Sequence, residues 1–142
     1  MTQTDETKRR VLVIEDEPLI GRVCTKTLSA LGFEVDVATD GLRALEMARR
    51  EAYDLYLSDI RTPRMNGVEF YQHLAEKRPE LADRVIFTTG DVLSRDVQAF
   101  LDESGALFLP KPFTPAELRA AVSDALKRRH IADSLTAKPL VT

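Results

Sequence analysis

Four short apolar runs punctuate the chain, and each hands over to polar residues. Val11-Leu12-Val13-Ile14 leads into Glu15-Asp16-Glu17, and Leu55-Tyr56-Leu57 into Ser58-Asp59. Val85-Ile86-Phe87 leads into Thr88-Thr89, and Leu107-Phe108-Leu109 into Pro110-Lys111-Pro112. Runs this short and this apolar suit strands buried on both faces of a parallel sheet. A fifth segment, Glu34 to Ala38, alternates polar and apolar positions as an edge strand does. Between the strands, apolar residues recur at spacings of three and four. Leu19, Ile20, Val23, Cys24, Thr27, Leu28 and Leu31 form the buried stripe of a first helix, stopped at Gly32. Asp40 is placed to cap a second, with Leu42, Leu45 and Ala48 on its inner side. Val68, Tyr71 and Leu74 mark a third, closed by Pro79; Val97, Phe100 and Leu101 mark a fourth, closed near Gly105. Thr114-Pro115-Ala116-Glu117 combines an N-cap hydroxyl, a proline at the first helical position and a capping-box glutamate. A fifth helix starts there, burying Leu118, Ala121, Val122, Ala125 and Leu126.

Strict alternation of five strands and five helices predicts an α/β fold, a doubly wound parallel sheet in the flavodoxin-like order 2-1-3-4-5. Ligands of such sheets sit outside the carboxyl ends of the strands, at the switch point between the first and third. Those two strands are the ones ending in Glu15-Asp16 and Asp59. At 142 residues, 44% hydrophobic, the chain suits one domain. Its expected bounds are residues 10–129, with a polar leader at 1–9 and a tail or linker stub at 130–142. A formal charge of -3 gives no field that would attract nucleic acid or an anionic membrane. No apolar stretch approaches the roughly 20 residues of a membrane span, so a cytoplasmic protein is expected. The single cysteine, Cys24, excludes an internal disulfide and a cysteine metal cluster within one chain. His73 and His130 stand alone and suit the surface, and Lys127-Arg128-Arg129 suits the negative end of the last helix.

The strand ends carry the chemistry. Carboxylates gathered at one point repel one another unless a cation sits among them, and Mg²⁺, a hard ion held by one or two carboxylates plus waters and phosphate, meets that need. With the ion and Lys111 drawing off charge, Asp59 can act as a nucleophile on phosphorus and hold an acyl phosphate. Thr89 is placed to offer its hydroxyl to a phosphoryl oxygen that exists only after modification. Glu17 fits better as a solvated acid at the positive end of the first helix, and Asp16 is the firmer metal ligand.

These residues resemble the receiver domains of bacterial two-component response regulators, over Arg10 to about Lys127. The resemblance rests on Glu15-Asp16-Glu17 after the first strand, Ser58-Asp59-Ile60 with Pro63 and Gly67 behind it, Thr89-Gly90, and Lys111-Pro112-Phe113. Asp59 precedes Thr89 by 30 residues and Lys111 by 52, separations typical of the family. Each motif alone is weak; four in order are specific. The resemblance implies that Asp59 takes phosphate from a phosphohistidine on a sensor histidine kinase or phosphotransfer protein. It implies Mg²⁺ held by Asp16, Asp59 and the backbone carbonyl of Arg61, with Glu15 acting through water. Lys111 would pair with the phosphoryl group, the Lys111-Pro112 peptide would be cis, and Phe108 would be the switch aromatic that follows Thr89. A downstream protein would read the surface of the fourth helix, fifth strand and fifth helix, and a homodimer would use the same surface.

This sequence departs from the family pattern at three places. Glu15 replaces the commoner aspartate and reaches farther. Thr62 stands where an apolar residue is usual, which is expected to loosen the loop behind Asp59. Arg61 and Asp91, two residues after Asp59 and Thr89, are expected to pair across the mouth of the site and hinder the water that would hydrolyse the phosphoryl group. Two other functions compete. An aspartyl-phosphate phosphatase or phosphotransferase acting on an outside substrate would need a general acid two residues after the nucleophile, where this chain has Arg61. A flavin or nucleotide binder would need a glycine-rich loop after the first strand, where this chain has Glu15-Asp16-Glu17-Pro18. The expected role is therefore a phosphorylated signalling module, not an enzyme acting on other molecules.

Overall fold

The computed structural model describes residues 8–137, with side chains described as far as residue 129. Most of the expected leader and tail, residues 1–7 and 138–142, lie outside the described residues. The elements run β1 (Arg10–Ile14), α1 (Pro18–Ala30), β2 (Glu34–Ala38), α2 (Gly41–Arg50), β3 (Leu55–Asp59), α3 (Gly67–Lys77), a 3-10 turn (Pro79–Arg84), β4 (Val85–Thr89), α4 (Arg95–Ser104), β5 (Leu107–Pro110) and α5 (Pro115–Ala137). All neighbouring strands pair in parallel, in the order β2-β1-β3-β4-β5. The alternating segment Glu34–Ala38 is the edge strand its pattern predicts.

Alternation along the inner strands splits the core in two. Val11, Val13, Leu55, Leu57 and Ile86 face one side, against Cys24 and Leu28 of α1 and Leu118, Val122 and Ala125 of α5. Leu12, Ile14, Tyr56, Val85 and Phe87 face the other, against Ala44, Leu45 and Ala48 of α2, Phe70 and Leu74 of α3 and Val97 of α4. Covering both faces leaves the sheet no wet side, which is why its central strands read as unbroken apolar runs.

The helices start and stop on local chemistry. Asp40 caps α2 by accepting the Arg43 N–H at 2.9 Å. Asn66 and Glu69 form a reciprocal capping box on α3, and Thr114 and Glu117 form one on α5. Gly105 ends α4 in the left-handed conformation, φ 66°.

Several side chains differ from their expected placement. Leu19 of α1 and Leu42 of α2 are exposed, as are Val23 and Leu31. The sheet covers a narrower arc of each helix than the apolar stripe suggests, and on α1 that arc is Gly21, Cys24, Thr27 and Leu28. Leu81, in the 3-10 turn after Pro79, is buried and belongs to the core. α5 continues eight residues past Arg129, so Lys127-Arg128-Arg129 does not sit at the end of a helix. Arg128 instead donates to the Gly105 carbonyl at 2.7 Å, and Arg129 pairs with Asp54 at 3.0 Å. Among the described residues, no helix is long and apolar enough to cross a membrane.

Candidate functional site

Register brings the candidate residues together. Ile14 lies beside Ser58, Asp59 beside Thr88, and Thr89 beside Pro110, so Glu15, Asp59, Thr89 and Lys111 leave the sheet at one edge. Glu15 and Asp59 are each only 4% exposed, and Thr89 is buried. The Lys111 ammonium reaches into them from the end of β5, with Nζ 2.8 Å from Asp59 Oδ2, 2.9 Å from Glu15 Oε1 and 3.3 Å from Glu17 Oε1. Burial works against the charge on Lys111, but hydrogen bonds to Asp59 and Glu15 outweigh it and hold its pKa above the ordinary lysine value. Burial is also the main reason the Glu15 carboxyl titrates above its usual range; the hydrogen bond to Lys111 opposes that shift, and the Asp59 charge adds to it.

The loop after β3 is fixed from several sides. Gly67, at the start of α3, donates its N–H to the Ile60 carbonyl at 2.9 Å. A Cβ on Gly67 would stand 2.5 Å from the Asp59 carbonyl oxygen, so only glycine allows this approach. Thr62 is buried and donates its hydroxyl to the Met65 carbonyl at 2.8 Å. The expectation that Thr62 loosens this loop is therefore corrected, because its hydroxyl closes the turn. Arg61 and Asp91 do pair across the mouth, through Arg61 Nη2 and Asp91 Oδ2. The Lys111-Pro112 peptide is cis.

Of the acids after β1, the structure draws in Glu15 and Glu17. Ligand atoms of Glu15, Glu17 and Asp59 lie within 4.8 Å of one another. Asp16 is exposed and stands outside that trio. Glu17 is 60% exposed, as its reading as a solvated acid expects, yet it also shares Lys111 with the two buried carboxylates, and its N–H donates to Glu15 Oε2 at 3.1 Å. An all-oxygen donor set with two buried members fits a hard divalent cation. Phe108 is half-buried at the margin of the cluster that holds Phe87 and Val97. Cys24 is core, and burial pushes its thiol up to about 12, so it stays protonated.

Comparison with known proteins identifies the family and agrees with the fold. The family model described as response regulator receiver domain matches residues 11–123. Response regulator MprA of Mycobacterium leprae is 34% identical over 119 residues, which are 84% of this chain and 51% of that protein. DNA-binding response regulator MtrA of Mycolicibacterium smegmatis is 32% identical over 124 residues, 87% of this chain and 53% of that protein. The chain thus spans about half the length of these curated relatives. Among solved structures, a CheY-like receiver domain protein from Methanospirillum hungatei superposes with a TM-score of 0.80 at 26% identity, covering 88% of this chain and 98% of that one. The receiver domain of sensor histidine kinase PA1611 from Pseudomonas aeruginosa, which holds a magnesium ion in its active-site cleft, gives 0.74 at 28% identity, covering 84% and 98%.

Proposed function

This chain belongs to the response regulator receiver domain family, and from that premise we propose that Asp59 is its phosphoacceptor. The observation that carries the reading is the buried Asp59 carboxylate held 2.8 Å from Lys111 at the strand edge. An Asp59 carboxylate oxygen attacks the phosphorus of a phosphohistidine on a sensor histidine kinase or phosphotransfer protein. A P–O bond forms, the P–N bond breaks, and its electron pair returns to the imidazole, which takes up a proton. Lys111 stays charged throughout and can move from carboxylate to phosphoryl oxygens as negative charge shifts outward. Thr89 offers its hydroxyl to one of those oxygens, and Phe108 follows it.

Asp16, Asp59 and the Arg61 carbonyl would hold Mg²⁺, with Glu15 acting through water and Glu17 as a further acid nearby. When bound, the ion neutralises carboxylate and phosphoryl charge. The cluster of Glu15, Glu17 and Asp59 supports such an ion.

Catalysis is confined to the domain's own phosphorylation and slow dephosphorylation. Arg61, in place of a general acid, argues against turnover of an outside substrate. The receiver unit spans residues 10–129 and works in the cytoplasm. A downstream protein reads α4, β5 and α5, and a homodimer forms through the same surface. The domain itself makes no direct contact with nucleic acid or membrane.

Labelling with acetyl phosphate tests this. Wild type should take up phosphate only with Mg²⁺, and Asp59→Asn should take up none. Equal labelling of both, or of neither, overturns the reading.

A further inference from the structure

Arg61 and Asp91 are tied to the site twice over. The Arg61 N–H donates to Asp59 Oδ1 at 3.0 Å, and the Asp91 N–H donates to Thr89 Oγ1 at 3.1 Å. Their side chains then close on each other, guanidinium to carboxylate, joining the loop after β3 to the loop after β4. Each residue therefore senses, through its own backbone, the side chain that the proposed chemistry changes.

We infer that this ion pair is a latch, not the standing barrier to hydrolytic water that the sequence suggests, and that a phosphoryl group on Asp59 opens it by taking Arg61 away from Asp91. The inference rests on the phosphoacceptor reading above. The side chains are 57% and 48% exposed, and an ion pair that wet is weak enough to be exchanged. A phosphoryl group carries a charge of about −1.5 to −2 and three acceptor oxygens, so it outcompetes a single carboxylate for a guanidinium. It would also be near, because the Arg61 backbone nitrogen is already within hydrogen-bond distance of Asp59.

Asp91 loses both of its tethers in the same event. Its carboxylate gives up Arg61, and its N–H gives up Thr89 once that hydroxyl turns to the phosphoryl group. The segment behind it is the start of α4. The Ser94 N–H donates to the Asp91 carbonyl at 3.3 Å, and the Ser94 side chain caps α4. Leu93, in the same segment, is 86% exposed. Opening the latch therefore frees residues 91–94, whereas the half-buried Lys111 remains within the site.

The test is NMR on the ¹⁵N-labelled full chain, with Mg²⁺ and beryllofluoride as a phosphoryl mimic, for wild type and Asp91→Asn. Acetyl phosphate labelling is measured on the same proteins. In wild type the mimic should shift the Arg61 Nε–Hε resonance and the amides of residues 91–94. In Asp91→Asn those amides should already be displaced without the mimic and respond to it far less, while labelling persists. If Asp59 and Thr89 amides shift in wild type but Arg61 Nε–Hε does not, the latch is overturned and the phosphoacceptor reading stands. If no site amide shifts and no label enters, both fall together.

Discussion

Gly67 lies so close to Asp59 that a Cβ added to it would stand 2.5 Å from the Asp59 carbonyl oxygen and 2.9 Å from the Ile60 Cα. The start of α3 is thus pressed against the end of β3, and the backbone of the candidate phosphoacceptor is braced from behind. Both contacts are backbone and cannot rotate away. Gly67→Ala should therefore cost about 1–3 kcal/mol, as overpacking generally does. Urea unfolding would show this as a lower midpoint at unchanged slope, and a wild-type midpoint would contradict it.

Lys111 is the cation that lets Glu15 and Asp59 stay buried side by side. Lys111→Met should destabilise the metal-free protein by about 3 kcal/mol, the scale of removing one partner from a buried pair. Because a divalent ion can take over the neutralisation, added Mg²⁺ should raise the melting temperature of Lys111→Met more than that of wild type. Equal Mg²⁺ responses would argue that Lys111 and the ion do not share a duty.

Two acids after β1 have different claims on that ion. Asp16 is the ligand implied by the family resemblance, whereas Glu17 is the one whose carboxylate the structure brings to Glu15 and Asp59. If Asp16 is the direct ligand, Asp16→Asn should weaken Mg²⁺ binding by more than about 10–100-fold, the range typical of outer-shell changes, and Glu17→Gln by less. Calorimetric titration of the two variants decides it, and the reverse order would move the direct ligand to Glu17.

Asp40 supplies a pH test away from the site. Its carboxyl titrates below the ordinary range, chiefly because it accepts the Arg43 N–H, with Arg64 adding to the effect and burial opposing it. A carboxyl with a lowered folded pKa contributes stability that is present above the unfolded value, about 3.9, and is lost as pH falls through the folded value. Asp40→Asn keeps the cap but loses the charge. The stability gap between wild type and Asp40→Asn should be largest near neutral pH and shrink below about pH 4. A gap that grows on acidification would contradict the assignment.

The order of the sheet, the edge position of β2 and the meeting of four strand ends were legible in the sequence, because each follows from local pattern and chain-order rules. Which part of each apolar stripe faces the sheet was not legible. Periodicity marks Leu19, Val23 and Leu42 as apolar, but only the docking angle of the helix decides that they stay exposed. Glu17 is the exposed acid at the start of the first helix that the sequence suggests, but its contact with Lys111 was not legible, because the two lie 94 residues apart. Thr62 was misread because its departure from an apolar residue suggests lost packing, whereas its hydroxyl finds the Met65 carbonyl. Arg61 and Asp91 were legible as a pair, since matching offsets from two adjacent strand ends put opposite charges within reach of each other.

On the proposed reading Asp59, and no neighbouring acid, carries the phosphoryl group. Borohydride reduces an acyl phosphate at its carboxyl carbon, turning an aspartyl phosphate into homoserine, and peptide mass spectrometry then locates the change. After acetyl phosphate and Mg²⁺, homoserine is expected at position 59, with Glu15, Asp16 and Glu17 unreduced. Reduction at any of those three acids, or at none of the four, would contradict the account.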